Sequence, residues 1–236
     1  MSTRWEIDDE EAPGDRVKLA ELWGSFERGA SRLIEHYLSR ERCYAVLQPR
    51  PSPDGPLSRR QSDLMRRLVL GEQHKAIATD LEISSASVTQ RLRHCAQQFG
   101  VHSHWARWPL FLLVAGTAFY AFPRLEVGAR LSRRLRDGQE HVVCSFERPD
   151  RDLPLELSTA EQEIARLVIQ GVAQSEMAAI RGTSTRTVGN QVSAVFSKLG
   201  VSGRLQLVHL LVRRAAGRVD NFTAGNNSEL HSDRQN

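Results

Sequence analysis

The chain has 236 residues, of which 40% are apolar and 25% charged, and its formal net charge is +4. This composition is typical of a globular protein and excludes collagen-like, low-complexity and fully disordered chains. Three scattered cysteines, Cys43, Cys95 and Cys144, have neither zinc-ligand spacing nor the pattern of a disulfide framework, so a reducing, cytoplasmic setting is expected.

The first fifty residues combine an acidic N-terminus with a predicted β-hairpin. The opening sequence, MSTRWEIDDEE, contains no apolar stretch, so no signal peptide is predicted. Apolar residues alternate loosely from Leu33 to Leu38 and from Cys43 to Leu47, on either side of a short polar turn, which is typical of two antiparallel strands. The sequence PRPSPDGP, residues 49–56, is too rich in proline for regular structure and is predicted to be a linker.

A helical unit is predicted to begin near Leu57. Ser58 and Gln61 have the spacing of a capping box, in which each side chain bonds the backbone N–H of the other residue. The helix that follows is predicted to end at Gly71, because glycine suits the left-handed conformation after a helix. Residues 75–81 are predicted to form a short second helix.

The third helix of this unit has one apolar and one polar face. Ser84 is suited to cap its N-terminus. Val88, Leu92, Cys95 and Phe99 follow at intervals of four, three and four, which places them on one side of a helix, toward the core. Two short helices, a tight turn and a helix with a free polar face are typical of helix-turn-helix geometry.

The segment after this unit contains an apolar run and a second predicted hairpin. The run from Trp108 to Phe122 includes Pro109 and is shorter than the roughly 20 residues of a membrane-spanning helix. We therefore predict a buried helix followed by a strand. Asp137 and Gly138 lie between two apolar-rich runs, which is the strongest short hairpin signal.

The second half of the chain repeats the first with a period of one hundred residues. A second helical unit, predicted to begin near Leu157, has its own capping box and a third helix with the same apolar spacing. Residues that coincide without a gap are Leu57 and Leu157, Ser58 and Ser158, Gly71 and Gly171, Ala78 and Ala178, Ser84 and Ser184, Val88 and Val188, and Gly100 and Gly200.

The third helix of each unit and the segment that follows it lie in sequence that is free of acidic residues. No Asp or Glu occurs from Ile83 to Leu125 or from Met177 to Val219, a distribution expected of a polyanion-binding surface. Chance clustering in a mildly basic protein, or a polar face that is merely solvated, remains the alternative. The polar residues opposite the core of each third helix are Ser85, Ser87, Thr89, Gln90 and Arg93, and then Thr185, Arg186, Thr187, Asn190 and Gln191.

These segments resemble the LuxR/GerE type of bacterial helix-turn-helix domain. The second unit reads LSTAEQEIARLVIQG, EMAAIRGTS, TRTVGNQ and KLGVSGR, over Leu157 to about Val212. The first unit reads LSRRQSDLMRRLVLG, AIATDLEIS, SASVTQR and QFGVHSH, over Leu57 to about Ala115. The resemblance implies a four-helix unit whose third helix recognises DNA.

The resemblance also implies roles for single residues. Thr187 is expected to contact phosphate and Lys198 to stay near the DNA backbone, with Asn190 and Gln191 on the reading face. The equivalents in the first unit are Ser87, Gln90 and Arg91, with Gln98 in place of the lysine.

Both units also depart from the family pattern. In the second unit Arg181 and Thr183 replace a usual Leu and Ile, and Gly189 stands where a basic residue is frequent. In the first unit Ala76 replaces a usual Glu. Whether both units bind DNA strongly is therefore open at this stage.

The expected function is sequence-specific regulation of transcription, with insertion of the third helices into the major groove of double-stranded DNA. The chain could bind as a homodimer or, because the unit is duplicated, as an intramolecular pseudo-dimer. The alternative is a protein-interaction module for a sigma factor or RNA polymerase, with one or both units degenerate. No enzyme activity, cofactor, metal site or membrane partner is predicted, since no phosphate-binding loop or nucleophile motif occurs.

The predicted fold is mainly α: two tandem four-helix helix-turn-helix units, each preceded by a small β-hairpin. The predicted segments are 1–48, acidic with a hairpin; 49–56, a proline-rich linker; 57–115, the first unit; 116–152, a connector with the second hairpin; 153–214, the second unit; and 215–236, a disordered tail.

Overall fold

A computed structural model describes residues 15–50, 55–104, 107–125, 128–151 and 153–229. The acidic opening sequence and the centre of the proline-rich linker lie outside the described residues. The strands in the described residues are β1 (Asp15–Arg16), β2 (Ser31–Leu38), β3 (Arg42–Pro49), β4 (Arg130–Arg136) and β5 (Gln139–Glu147). The helices are α1 (Leu19–Glu27), α2 (Arg59–Val69), α3 (His74–Asp80), α4 (Ser85–Gln98), α5 (Leu110–Ala121), α6 (Thr159–Gln170), α7 (Gln174–Ile180), α8 (Thr185–Leu199) and α9 (Arg204–Glu229).

Both predicted hairpins are confirmed, as β2–β3 and β4–β5. Asp137 and Gly138 join β4 to β5 with positive φ angles of 52° and 74°, as expected for the two-residue turn that suits twisted strands. The hairpins do not stand apart, however. They pair through β3 and β5 into one antiparallel sheet with the order β1-β4-β5-β3-β2.

The register between β3 and β5 relates the two halves of the chain by an approximate two-fold axis. Tyr44 lies opposite Ser145, and Ala45 lies opposite Cys144. The equivalent of Tyr44 in the second half is Cys144, and the equivalent of Ser145 in the first half is Ala45. Replacing both members of the first pair by their equivalents therefore gives the second pair. Equivalent strands therefore face each other as the two halves of a symmetric dimer interface do.

Helix α1 was not predicted, although its sequence contains the signal. Leu19, Leu22, Trp23 and Phe26 recur at helical spacing, and all four are buried in the structure. They are the apolar face of an amphipathic helix, which packs against α5.

Helix α5 is the buried helix predicted within the apolar run. The strand predicted after it is wrong, because the helix ends at Ala121 and the chain then turns without pairing. Gly116 allows α5 to approach α1 closely, since a Cβ atom there would lie 2.8 Å from the Trp23 ring. In the described residues no helix combines the length and the apolar character required to cross a membrane.

The two helical units have the same local construction. The hydroxyl of Ser58 accepts the Gln61 N–H, while the Gln61 side chain accepts the Ser58 N–H at 2.8 Å, so the predicted capping box is present. The box at Ser158 is present too, and Gly171 after α6 has the left-handed conformation predicted for it. Helices α2–α4 form the first trihelical unit and α6–α8 the second, with α5 and α9 as the respective fourth helices.

Helix α9 corrects one sequence-based expectation. Residues 215–236 were expected to lack regular structure, but the backbone is helical as far as Glu229. No proline interrupts the chain after Arg204, so the helix started by the buried residues Leu207, Val208 and Leu211 continues past the core.

The two units contact each other reciprocally. A Cβ atom added to Gly71, which follows α2, would lie 2.7 Å from the side chain of Gln206, near the start of α9. A Cβ atom added to Gly171, which follows α6, would lie 3.2 Å from the Arg204 guanidinium of its own unit and 3.4 Å from the Cα atom of Arg107, just before α5. The Gln206 side chain donates to the Gly71 carbonyl at 3.1 Å. Each unit thus places the end of its first helix against the start of the other unit's fourth helix.

Arg204 reinforces this junction. Its guanidinium donates at 2.8 Å both to the carbonyl of Ile169, at the end of α6, and to the carbonyl of Trp108, before α5. Burial lowers the pKa of Arg204 to about 10, so the group stays cationic at neutral pH. A cation at the C-terminal end of α6 also complements the helix dipole.

Candidate nucleic-acid interface

Helices α4 and α8 are positioned by caps and by their apolar faces. The Ser84 hydroxyl accepts the N–H of Ser87 at 3.1 Å, and the Ser184 hydroxyl accepts that of Thr187 at the same distance. The buried residues of the two helices occupy equivalent positions, namely Val88, Leu92 and Cys95 in α4 and Val188, Val192 and Val195 in α8. The opposite face of each helix is thereby left to solvent.

Most of the predicted contact residues lie on these solvent faces. Each set is brought together on one helix, and Lys198 lies at the far end of α8 from Thr185. The exposed members are Ser85, Gln90, Arg91, Arg93, Thr185, Arg186, Thr187, Asn190 and Lys198, and the half-buried members are Ser87, Thr89 and Gln191. The carbonyl oxygen of the Gln191 side chain is buried without a hydrogen-bond partner in the described part of the chain, so Gln191 is less accessible than Asn190.

Hydroxyl groups cluster at the N-terminus of each third helix. The hydroxyls of Ser84 and Ser87 lie 2.9 Å apart, as do those of Ser184 and Thr187. The hydroxyl of Thr89 instead donates to the backbone carbonyl of Ser85. Paired hydroxyls beside free helix N–H groups are suited to hold phosphate oxygens, because the helix dipole is positive at that end.

Lys198 has a protein partner in the structure. Its ammonium group lies 2.8 Å from the Glu161 carboxylate, which also accepts the Ser158 N–H at 2.8 Å. The Lys198 hydrogen bond, followed by those from Ser158, lowers the pKa of Glu161 to about 2. Lys198 therefore joins the end of α8 to the first turn of α6, and its side chain is still 48% exposed.

Both helical segments match a known family. Residues 55–106 and residues 155–211 each match the model of the bacterial regulatory proteins of the luxR family. The two helical units are luxR-family units. The family predicted from the sequence is thus confirmed for both units, and it is a family of bacterial regulatory proteins. No curated protein and no solved structure matches the chain significantly.

The first luxR-family unit contains a feature that the sequence analysis missed. An open groove runs between α2 and α4, and four exposed arginines line it: Arg59, Arg60, Arg91 and Arg93. We call this the arginine groove. Gln90 and Arg93 also line a shallow depression on the other side of α4, so these two residues form a ridge between the arginine groove and that depression.

The second luxR-family unit does not repeat the arginine groove. The equivalent residues, one hundred positions later, are Thr159, Ala160, Gln191 and Ser193. Comparing the two copies position by position would have revealed Arg59 and Arg60. In the described residues, no group of three or more His, Cys, Asp or Glu side chains could hold a metal ion.

Proposed function

We propose that the chain regulates transcription by binding duplex DNA as an intramolecular pseudo-dimer. Helices α4 and α8 would enter the major groove at two inverted half-sites of different sequence. The observation that carries the proposal is the reciprocal contact of Gly71 with Gln206 and of Gly171 with Arg107 between two luxR-family units. Reciprocal contacts belong to two-fold arrangements, and a two-fold arrangement of recognition helices fits an inverted repeat.

Two further observations support the pseudo-dimer. The register of β3 against β5 follows the same approximate two-fold relation. The fourth helices α5 and α9 pack against each other. The surface through which each fourth helix could contact a second chain is therefore already occupied within this chain. A single chain is therefore expected to supply both recognition helices.

The two recognition helices have different chemistry, so the two half-sites should differ. In α4 the ridge residues Gln90 and Arg93 can donate to base edges, and Arg is well suited to guanine. In α8 the exposed Asn190 can pair with adenine through two hydrogen bonds. The bound sequence should be an imperfect palindrome, with half-sites centred about one helical turn apart.

The test is a selection from random duplexes with the full chain, followed by measurement of the mass of the complex. We expect one chain per duplex and a motif of two inverted, unequal halves. Asn190→Ala should relax the base preference in one half, and Arg93→Ala in the other, each by about 1–3 kcal/mol of discrimination. Two outcomes would contradict the proposal: nuclease protection of a single half-site, or a complex with two chains on each duplex.

Salt dependence separates this function from that of a protein-interaction module. A DNA-binding protein loses affinity steeply with salt, because each phosphate contact releases counterions from the duplex. A module that binds only a sigma factor or polymerase would not bind the selected duplex even at low salt.

A further inference from the structure

The arginine groove joins two arginines of α2, Arg59 and Arg60, to Arg91 and Arg93 of the recognition helix α4. We infer that it binds the phosphates of one DNA strand, next to the major groove that α4 enters, and so makes the first unit the electrostatic anchor of the protein. This inference rests on the proposed function and extends it to residues of α2 that do not belong to a recognition helix.

The four arginines of the groove have no ion-pair partner within the described part of the chain. The neighbouring arginines differ, since Arg66 pairs with Asp63, and Arg67 pairs with Glu72 and Asp80. The two aspartates that line the groove are thus already paired with other arginines. Glu82 is the remaining acid in the lining. Among the described residues, four arginines against one unpaired acid leave the groove with a net positive charge available to a polyanion.

The chemistry of the lining favours phosphate over a stacked base. Its apolar members are the aliphatic residues Leu64, Leu81 and Ile83, whereas single-strand base recognition depends on aromatic surfaces. Arginine side chains bind phosphate through two parallel hydrogen bonds. Arg59 and Arg60 lie on α2, and Arg91 lies on α4, so both walls of the groove supply such donors. Arg93 stands on the ridge that faces the bases in the proposed complex.

The second unit lacks these donors, and two of its cations are paired with its own carboxylates. Thr159 and Ala160 replace Arg59 and Arg60 on the first turn of α6. Lys198 pairs with Glu161, and Arg181 pairs with Glu163 at 2.5 Å. The second unit can still read bases through Asn190, but it has fewer free charges with which to hold the backbone.

The experiment replaces the α2 arginines by the residues of the second unit, as Arg59→Thr with Arg60→Ala, in the full chain. Binding to the selected duplex is measured by fluorescence anisotropy over a series of salt concentrations. Because each lost phosphate contact lowers the slope of log affinity against log salt by about 0.9, we expect the slope to fall by about one to two. Base preference in the selection should stay unchanged.

The matched control is Arg133→Thr with Arg134→Ala, on the exposed strand β4, which removes the same charge from another surface. A clearly larger slope change for the α2 variant than for this control supports the inference. Equal changes, or no change in either, would overturn it while leaving the proposed function intact. Failure of the unaltered chain to bind DNA would instead refute the proposed function.

Both altered pairs are exposed, so neither variant should affect folding. The thermal unfolding midpoint of each variant verifies this. A second variant, Arg91→Gln with Arg93→Gln, removes the cations of the other wall. If it lowers the salt slope and the α2 variant does not, the phosphates run along α4 alone and the inference is wrong.

Discussion

The two luxR-family units share a sequence pattern but sit in different surroundings. In the first unit Phe99, at the end of α4, packs against Trp23 and Phe26 of α1 with ring centroids 5.2 Å apart in each case. The Leu33 N–H of β2 also donates to the Phe99 carbonyl at 2.8 Å. The equivalent Leu199 is only half-buried, and a Cβ atom added to Gly200 would meet nothing within 4 Å.

The difference shows how a duplicated unit can acquire unequal roles. The first unit is built into the core and, by our inference, anchors the DNA backbone. The second unit is attached mainly through α9 and retains the lysine of the family pattern, although that lysine is engaged with Glu161. The local folding signals of both copies are intact, so the difference in surroundings comes from the neighbours of each unit. The difference in charge comes from the exposed residues of α2 and α4, which α6 and α8 do not share.

The largest expected effect is the contrast between Gly100→Ala and Gly200→Ala. Both glycines have positive φ, of 83° and 63°, so alanine at either position is strained by about 1–2 kcal/mol. At Gly100 the new Cβ would also lie 2.2 Å from the Leu33 carbonyl oxygen, which is backbone and cannot move away cheaply. We expect a total loss of about 3 kcal/mol or more for Gly100→Ala, because overpacking adds to the strain.

Chemical denaturation of both variants measures this contrast. Equal losses would show that the first unit is not seated on β2 as the structure has it. Gly138→Ala is a further control, because Gly138 has a positive φ of 74° and open space around it, as Gly200 does. Its loss should resemble that of Gly200→Ala.

A smaller effect of opposite sign is expected for Gly189→Ala. Gly189 lies inside α8 with ordinary helical backbone, and an added Cβ would meet only the Gln174 side chain, at 3.8 Å. Alanine should therefore stabilise the second unit by about 0.5–1 kcal/mol, since glycine costs that much inside a helix.

The reverse substitution Ala194→Gly, at an exposed position of the same helix, should destabilise by a similar amount. The thermal unfolding midpoints of Gly189→Ala and Ala194→Gly should therefore shift in opposite directions, up for the first variant and down for the second. If Gly189→Ala stabilises the protein but weakens DNA binding, the glycine serves close approach to DNA. If it destabilises the protein, the packing around α8 differs from that in the structure.

The smallest expected effect is a difference between the two capping boxes in how their contribution to stability depends on pH. The pKa of Glu161 is lowered from 4.5 to about 2, whereas Gln61 in the first unit does not titrate. A lowered pKa in the folded state means that the ionised carboxylate stabilises the fold. This contribution is fully present above about pH 4.5 and is lost as the pH falls toward 2.

Glu161→Gln should remove this pH dependence while the amide oxygen keeps the cap, as Gln61 does. The unfolding midpoints of the variant and the unaltered chain should therefore differ most above pH 4.5 and converge in acid. A difference that is constant with pH would mean that neither Lys198 nor Ser158 holds the Glu161 carboxylate in solution as the structure has it. Carboxyl titration by NMR gives an independent measure of the same pKa.

The residues of the helical units could be assigned from the sequence because their signals are local. The capping boxes at Ser58 and Ser158, the glycine after α6 and the turn at Asp137 each depend on a few consecutive residues, and the structure has all of them. Most predicted contact residues also lie on the solvent face of a third helix, since the spacing of Val88 and Val188 determines which face is buried. Their contacts with DNA remain predictions.

What the sequence by itself determined is the pair of helix-turn-helix units, the two hairpins and the period that relates them. The tertiary structure decided that the hairpins share one sheet and that α1 and α5 pack against that sheet. It decided as well that the two units contact each other near Gly71 and Gly171. It also decided that Lys198 pairs with Glu161 and that four arginines share one groove. Such features join residues up to 135 positions apart. No local pattern encodes which of the possible partners a strand edge, a helix end or a charge will meet.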